Sequence, residues 1–168
     1  GGRAYKDGTD GVQVHMTNTS NLPIEALETE YPLLIEGYEL VENSGGPGQY
    51  RGGIGIRRSY RPIDHTMTFS GQGERFESTP WGLFGGQNGA PGKFELQHDD
   101  GTVRRLANKP SALKITPQEV ITVITPGAGG YGPPDQRKPE ALETDLESGK
   151  FSSRFIAQYY PSYAKDTG

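Results

Sequence analysis

The sequence predicts a mainly β fold, with glycine-rich barrel- or sandwich-like sheets, extended polyproline-like segments and one or two short helices. Three observations favour this class. Several short segments alternate apolar and polar residues with the period of two that is typical of strands. Glycine (25 residues) and proline (13 residues) are abundant in a chain of 168 residues. Nine tyrosines, six phenylalanines and one tryptophan are spread along the chain, which argues against disorder.

The N-terminal region is predicted to contain a strand and then a short helix. Residues 12–16 alternate apolar and polar side chains, and a polar cluster of backbone-bonding side chains ends this strand. Residues 22–28 then allow one or two helical turns, with Asn21 as the cap and Pro23 in the first turn. Residues 31–36 return to extended structure.

The middle of the chain is predicted to hold further strands. Residues 38–42 and 66–70 alternate in the manner of strands. In residues 49–60, bulky side chains recur at every second position around glycines. That pattern is typical of a strand with a bulge, or of a place where another backbone comes very close.

The clearest local signal is a β-hairpin. Residues 93–97 and 102–106 alternate on either side of an Asp-Asp-Gly turn. Residues 120–125 have the apolar character of a buried strand. Residues 139–148 carry leucines at helical spacing and predict a helix that Gly149 ends.

The chain is expected to divide at a glycine- and proline-rich segment. Residues 1–134 are predicted to form the β-rich domain. Residues 135–168 are predicted to contain the helix and an aromatic tail that docks on a partner. Hydrophobic residues make up only 32% of the sequence, and the mean hydropathy is −0.70. We therefore expect a domain that completes its core against other protein, although composition alone equally allows a self-sufficient small β-barrel.

Charge and composition exclude several classes of protein. The net charge of −4 provides no basic face for nucleic acid. The absence of cysteine excludes disulfides and cysteine-bound metal, and is typical of a cytoplasmic protein. No run of about 18 apolar residues is present, so no membrane span is expected. The start at Gly1 without methionine suggests a trimmed or split chain.

Residues 127–132 match the nucleotide-binding pattern G-x-G-x-x-G and follow a predicted strand. That pattern binds pyrophosphate only when a helix begins directly after it. Pro133 and Pro134 follow instead, and they prevent the chain from entering a helix in that way. We therefore expect this chain to bind neither ATP nor another nucleotide cofactor.

Six segments resemble the hydantoinase B/oxoprolinase family, which contains the B-type subunits of ATP-dependent hydantoinases, oxoprolinases and related ketone carboxylases. The resemblance covers nearly the whole chain in order and is that of the C-terminal portion of a longer B-type subunit. The segments are HMTNT (15–19), PIEALE (23–28), YPLLIEGYEL (31–40), NSGGPGQYRGGIGIRRSY (43–60), PWGLFGGQNGAPG (80–92) and TPGAGGYGPP (125–134).

The resemblance implies a component of a multi-subunit ATP-dependent enzyme that is not catalytic alone. An A-type partner would bind ATP and Mg and phosphorylate a substrate oxygen. This chain, with the rest of the B-type subunit, would form part of the chamber where a cyclic amide is hydrolysed. The alternatives are a component of an acetophenone-type ketone carboxylase and a structural assembly module without substrate contact. Any divalent metal is expected in the N-terminal half of the B-type subunit, so no metal ligand is assigned here.

Four residues are candidates for the substrate pocket. His15 and Asn18 lie in the first motif, where a predicted strand ends; the alternative for His15 is a hydrogen-bonded structural histidine. Glu25 lies in the PIEALE motif, and its alternative is a solvated helix surface. Arg51 could bind a carboxylate or phosphate through two hydrogen bonds.

The arginines and the large aromatic residues each have a structural alternative. Arg57 and Arg58 could bind a carboxylate or phosphate as Arg51 could, but charge pairing with the excess acidic residues is the simpler expectation for all three. Trp81 and Phe84 could form a stacking wall, although a place in the core is favoured.

Overall fold

Seven strands form two antiparallel sheets in residues 1–12 and 22–166, which are the residues that the computed structural model describes. Five strands pair in the order β1-β2-β7-β4-β5, and β3 pairs with β6. The mainly β prediction is therefore confirmed. The strands are β1 (Leu33–Leu40), β2 (Ile56–Pro62), β3 (Met67–Phe69), β4 (Lys93–Gln97), β5 (Val103–Arg105), β6 (Leu113–Ile115) and β7 (Val120–Ile124).

The smaller sheet packs on one face of the larger sheet, so the arrangement is sandwich-like. Leu96, Ile115 and Ile121 form a buried cluster between the two sheets. Met67 and Phe69 from β3 pack against this cluster. The larger sheet has β1 and β5 as its edges and is not closed into a barrel.

The predicted hairpin is present as β4 and β5, which pair antiparallel from Glu95–Arg105 to Gln97–Val103. Gly101 has φ +82° in the turn, a conformation that glycine adopts without a steric cost. The local turn chemistry and the alternation therefore agree with the tertiary structure.

Four short α-helices are present in the described residues, which is more than the one or two expected. They are α1 (Ile24–Glu30), α2 (Pro139–Glu147), α3 (Ser153–Tyr159) and α4 (Pro161–Asp166), with a single 3₁₀ turn at Pro134–Gln136. Proline occupies the first turn of α2, where its missing N–H has no cost. Gly149 follows α2 with φ +67°, as expected for a residue that ends a helix.

Three glycine-rich segments lie against one another without forming a helix or a regular strand: residues 44–55, 86–92 and 126–132. Backbone hydrogen bonds join them, for example from Gly46 N to Ala128 O (2.8 Å) and from Gly130 N to Gln87 O (2.9 Å). Of the two possibilities for residues 49–60, the close approach of another backbone is found in the glycine half, and the strand begins at Ile56. A polyproline-like conformation stays a prediction.

The C-terminal tail packs on these glycine-rich segments. Phe151, Ile156 and Tyr160 form a buried cluster with Ile54 and Leu142. The Tyr160 hydroxyl accepts a hydrogen bond from Gly48 N (3.0 Å), and burial raises the pKa of this phenol to about 12. The aromatic residues of the tail therefore belong to the core of this chain, and docking on a partner stays a prediction.

Candidate functional site

A network of buried ion pairs joins distant parts of the chain around Arg51. The Arg51 side chain binds both carboxylate oxygens of Asp10, at 2.7 and 3.0 Å. Its Nε donates to Asp145 on α2 at 2.9 Å. Arg51 is only 4% exposed, and Asp145 only 2%. Arg51 is therefore paired with acidic residues, which was the simpler of the two expectations for it from the sequence.

Arg137 extends the same network. Its two Nη atoms donate to the two carboxylate oxygens of Asp7, both at 2.8 Å, and Nη2 also donates to Asp145 at 2.6 Å. Two arginines therefore share three aspartates, and Lys150 lies 3.4 Å from Asp10. The charges balance, as buried charges must if their desolvation is to be offset.

The network lowers the pKa values of the Asp7 and Asp10 side chains, which lie near the N-terminus of the chain. Burial alone would raise the pKa of Asp7, but the hydrogen bonds and charge of Arg137 outweigh it and lower that pKa. For Asp10, burial is likewise outweighed by its hydrogen bonds from Arg51 and from Ile54 N, and its pKa is lowered. Both carboxylates are therefore more stable as anions in the folded protein.

An open cavity of about 550 Å³ lies directly beside this network. Asp10 connects the two, since its neighbours Thr9 and Gly11 line the cavity. The volume falls within the range of small-molecule sites in proteins, about 300–1,000 Å³. The cavity is lined by Thr9, Gly11, Val12, Gly53, Ile54, Ile56, Arg58, Tyr60, Glu74, Val123, Thr125, Pro126 and Ala128.

Strand β2 positions the cationic side chain of the cavity. Ile56, Arg58 and Tyr60 lie on one face of β2, because alternate residues of a strand share a face. Val123 of β7 is the register partner of Arg58 and continues the same wall. Near Tyr60 the smaller sheet packs on this face of β2. The cavity lies over the part of the face that the smaller sheet leaves uncovered.

Two tyrosines hold the Arg58 guanidinium. The central carbon atom of the guanidinium, Cζ, lies 4.2 Å from the centroid of the Tyr38 ring, in a cation–π arrangement. Its Nη1 donates a long hydrogen bond of 3.5 Å to the Tyr60 hydroxyl. Burial would lower the pKa of Arg58, but hydrogen bonds to both tyrosines outweigh it and raise that pKa. Arg58 is therefore a fixed cation in the cavity wall.

The three arginines of residues 51–58 have different surroundings. Arg51 is enclosed by carboxylates, and Arg57 pairs with Glu39 across β1 and β2 at 3.3 Å. Arg58 has no carboxylate within 4.0 Å in residues 1–12 and 22–166. The alternating pattern of residues 56–60 could have singled out Arg58, because it predicts that Arg58 and Arg57 face opposite sides of the strand.

Of the four predicted pocket residues, only Glu25 and Arg51 belong to the described structure, and their surroundings differ. His15 and Asn18 are outside the described residues. Glu25 is exposed on α1, and its backbone carbonyl accepts a hydrogen bond from the Thr29 hydroxyl. Arg51 lies in the ion-pair network, and neither Glu25 nor Arg51 lines the cavity.

Trp81 and Phe84 are exposed, so the interpretation that they belong to the core is wrong. Trp81 is 60% exposed and stacks against Arg75, whose guanidinium carbon is 4.2 Å from the ring centroid. Phe84 is 74% exposed and contacts the Tyr131 ring with the centroids 5.1 Å apart. The glycine-rich segments pack backbone against backbone and leave no interior space for these rings.

Metal clusters and membrane-spanning helices are both absent from the described ranges. No group of three or more histidine, aspartate or glutamate side chains is placed to hold a metal ion in that part of the chain. No helix among the described residues is long and apolar enough to cross a bilayer.

The sandwich-like sheets and the cavity lined by Arg58 define a β domain with an open cavity of small-molecule size. The particular family follows from comparison with known proteins. The chain belongs to the hydantoinase B/oxoprolinase family, whose profile matches residues 1–134. The resemblance found in the sequence is therefore confirmed.

A curated relative and two solved structures are similar to this chain. A protein of Pseudomonas sp. (strain NS671), provisionally named as the B-type subunit of a D-/L-hydantoinase, is 37% identical over 153 residues, which are 89% of this chain and 25% of the relative. The ATP-dependent caprolactamase of Pseudomonas jessenii is 29% identical with a TM-score of 0.70, over 82% of this chain and 24% of that chain.

A nucleotide-free acetone carboxylase structure has a TM-score of 0.71, over 94% of this chain and 25% of that chain. At 21% identity, this likeness shows the fold alone. The chain spans about a quarter of the length of the relative and of the two structures that it matches.

Proposed function

We propose that this chain forms part of the substrate chamber of an ATP-dependent enzyme that hydrolyses a cyclic amide. Family membership over residues 1–134 carries the proposal. Two relatives support it through their names, one provisionally named as the B-type subunit of a D-/L-hydantoinase and the other an ATP-dependent caprolactamase. In this proposal the chain is not catalytic alone.

The chemistry explains why such an enzyme uses ATP. A cyclic amide is a poor electrophile, and phosphorylation of its oxygen makes the carbonyl carbon open to attack by water. We propose that an A-type partner binds ATP and Mg and transfers the phosphoryl group. This chain and the rest of the B-type subunit would enclose the activated substrate in a cytoplasmic hetero-oligomer.

The cavity is the part of the described structure that is suited to this role. It combines the Arg58 cation with the apolar side chains of Ile56 and Val123. Val12 also lines it, and His15 and Asn18 follow Val12 closely in the sequence. We propose that His15 and Asn18 contact the substrate.

The other two pocket candidates have more peripheral positions. Arg51 contributes indirectly in this proposal, by holding Asp10 between two residues of the cavity wall. Glu25 is exposed on α1, where a substrate contact would depend on other parts of the assembled enzyme.

The test is a substrate-dependent assay of phosphate release from ATP by the assembled enzyme that contains this chain. We expect hydantoin or 5-oxoproline to stimulate release without added bicarbonate. Release that requires both bicarbonate and a ketone such as acetophenone would identify a carboxylase and contradict cyclic amide hydrolysis. Release with neither substrate class would contradict both activities.

Two variants of the assembled enzyme separate a chamber wall from a structural module. His15→Ala and Asn18→Ala are expected to lower turnover while assembly stays normal. Normal turnover together with normal assembly would favour the structural module. Assembly is measured by size-exclusion chromatography of the purified complex.

A further inference from the structure

The cavity beside the ion-pair network contains a cation, Arg58, that has no anionic partner among the described residues. Arg58 has no carboxylate within 4.0 Å in the described ranges, whereas Arg51 and Arg57 in the same motif are both paired. A guanidinium presents five N–H donors in a planar fork. Hydrogen bonds to Tyr60 and Tyr38 and a ring contact to Tyr38 use only part of this fork, so donors remain for a ligand.

The packing of Arg58 fixes its position before any ligand arrives. Tyr38 and Arg58 are register partners on β1 and β2, so the two strands hold the ring and the guanidinium together. Tyr60 lies two residues along the same face and holds one edge of the guanidinium. A group fixed in this way loses little conformational entropy when it binds a ligand.

A second donor lies in the same cavity. The Thr125 hydroxyl oxygen accepts a hydrogen bond from Ile56 N at 2.7 Å, and its own O–H remains able to donate. Arginine and hydroxyl donors together are suited to an oxyanion such as a carboxylate or phosphate. Glu74 is the carboxylate of the cavity wall, and its repulsion would limit the affinity for an anion.

We propose that Arg58 and Thr125 bind the carboxylate or phosphate group of a small anionic ligand. The apolar side chains of Ile56 and Val123 would contact the hydrocarbon part of that ligand. Only the identity of the ligand, as a substrate, an activated intermediate or a product, rests on the proposed function. The binding site itself follows from the geometry of the cavity.

The test is binding of two probe anions to the 168-residue chain without ATP or a partner. The probes are inorganic phosphate and succinate, titrated separately and followed by NMR chemical shifts. Arg58→Gln removes the charge, and we expect it to weaken binding of at least one probe about 10- to 100-fold, since hydrogen bonds to charged groups contribute about 1.5–3 kcal/mol and each 1.4 kcal/mol is tenfold.

Arg57→Gln is the matched control, because Arg57 is adjacent, exposed and on the opposite face of β2. It removes the same charge and is expected to leave the affinity unchanged within about twofold, since exposed charges interact weakly. Equal weakening by the two variants would show a non-specific charge effect and overturn the proposal. Glu74→Gln is expected to strengthen binding.

The two probes distinguish the source of the oxyanion. Saturable binding of phosphate alone indicates a phosphoryl group, and binding of succinate alone indicates a carboxylate. Saturable binding of neither probe to the wild-type chain would overturn the proposal. Because no turnover is measured, failure of the ATP-dependent assay would contradict the proposed function and leave this result unaffected.

A further pair of variants covers the case in which Arg58→Gln does not fold. Arg58→Lys keeps the charge but loses the planar fork, and it is expected to weaken the affinity for the probe about tenfold. Thr125→Val removes the O–H donor and is expected to weaken it less. Wild-type affinity in both variants would overturn the proposal, with folding checked by circular dichroism.

Discussion

Arg51 Nε donates a hydrogen bond of 2.9 Å to Asp145 Oδ1, although these residues are 94 positions apart in the chain. This bond fastens α2 to the glycine-rich segment at residues 44–55. Asp145 also accepts from Arg137, so a single carboxylate holds two buried guanidinium groups. Helix α2 and the glycine-rich segment at residues 44–55 are therefore joined through charge as well as through apolar packing.

Loss of the Asp145 carboxylate should strongly destabilise the chain. Asp145→Asn leaves Arg51, Arg137 and Lys150 with only the carboxylates of Asp7 and Asp10, a net positive charge, and we expect the free energy of unfolding to fall by about 3–5 kcal/mol. Urea unfolding followed by circular dichroism measures the change. Glu143→Gln on the exposed face of the same helix is the control and should change it by less than about 0.5 kcal/mol. Equal effects would contradict a structural role for the network.

Stability should decrease when the medium becomes acidic. The pKa values of Asp7 and Asp10 are lowered in the folded protein from their ordinary value of 3.8. Their contribution is therefore complete above the unfolded pKa of about 4 and is lost as the pH falls through the lower folded values. Thermal unfolding between pH 6 and pH 2 measures this loss. The Asp7→Asn variant should be less stable at pH 6 and should show a smaller decrease in stability on acidification.

Substitution of glycine by alanine in the glycine-rich segments should destabilise the fold wherever another backbone is in contact with that glycine. A Cβ on Gly52 would lie 1.7 Å from the Ala128 carbonyl oxygen, and backbone cannot move aside cheaply. Gly52→Ala should therefore cost more than the roughly 1–3 kcal/mol of ordinary overpacking, or prevent folding. Gly37→Ala is the control, since its Cβ would have only an ordinary contact of 3.9 Å with Ser59 Oγ. Comparable stability of the two variants would contradict this backbone packing.

The single tryptophan offers a direct optical test of the aromatic residues. Trp81 is 60% exposed, so its fluorescence should be quenched readily by iodide in the folded 168-residue chain. Trp81→Ala should change the free energy of unfolding by less than about 1 kcal/mol, because it removes an exposed cation–π contact that contributes about 0.5–1 kcal/mol. Strong protection from iodide, or a larger loss of stability, would contradict this exposure.

Local sequence signals predicted the elements that depend on neighbours in the chain. The hairpin of β4 and β5 follows from alternation around a turn that ends in Gly101, and α2 follows from leucine spacing and the stop at Gly149. For residues 49–60 the sequence left two possibilities, a bulged strand and a close approach of another backbone, because alternation around glycine is the same for both. The backbone of residues 126–132 packs against residues 44–55, so the glycine half of this region forms a closely packed loop and not a strand.

The sequence by itself determined the β class, the family and the positions of several strands along the chain, because alternation, turn residues and motifs are local properties. Only the tertiary structure decided which arginine is paired and which is not. Alternation places Arg57 and Arg58 on opposite faces of the strand, but the carboxylates of Asp145 and Glu39 reach Arg51 and Arg57 through contacts that only the fold creates. Charge pairing depends on distance in space, and that distance is set by the whole fold.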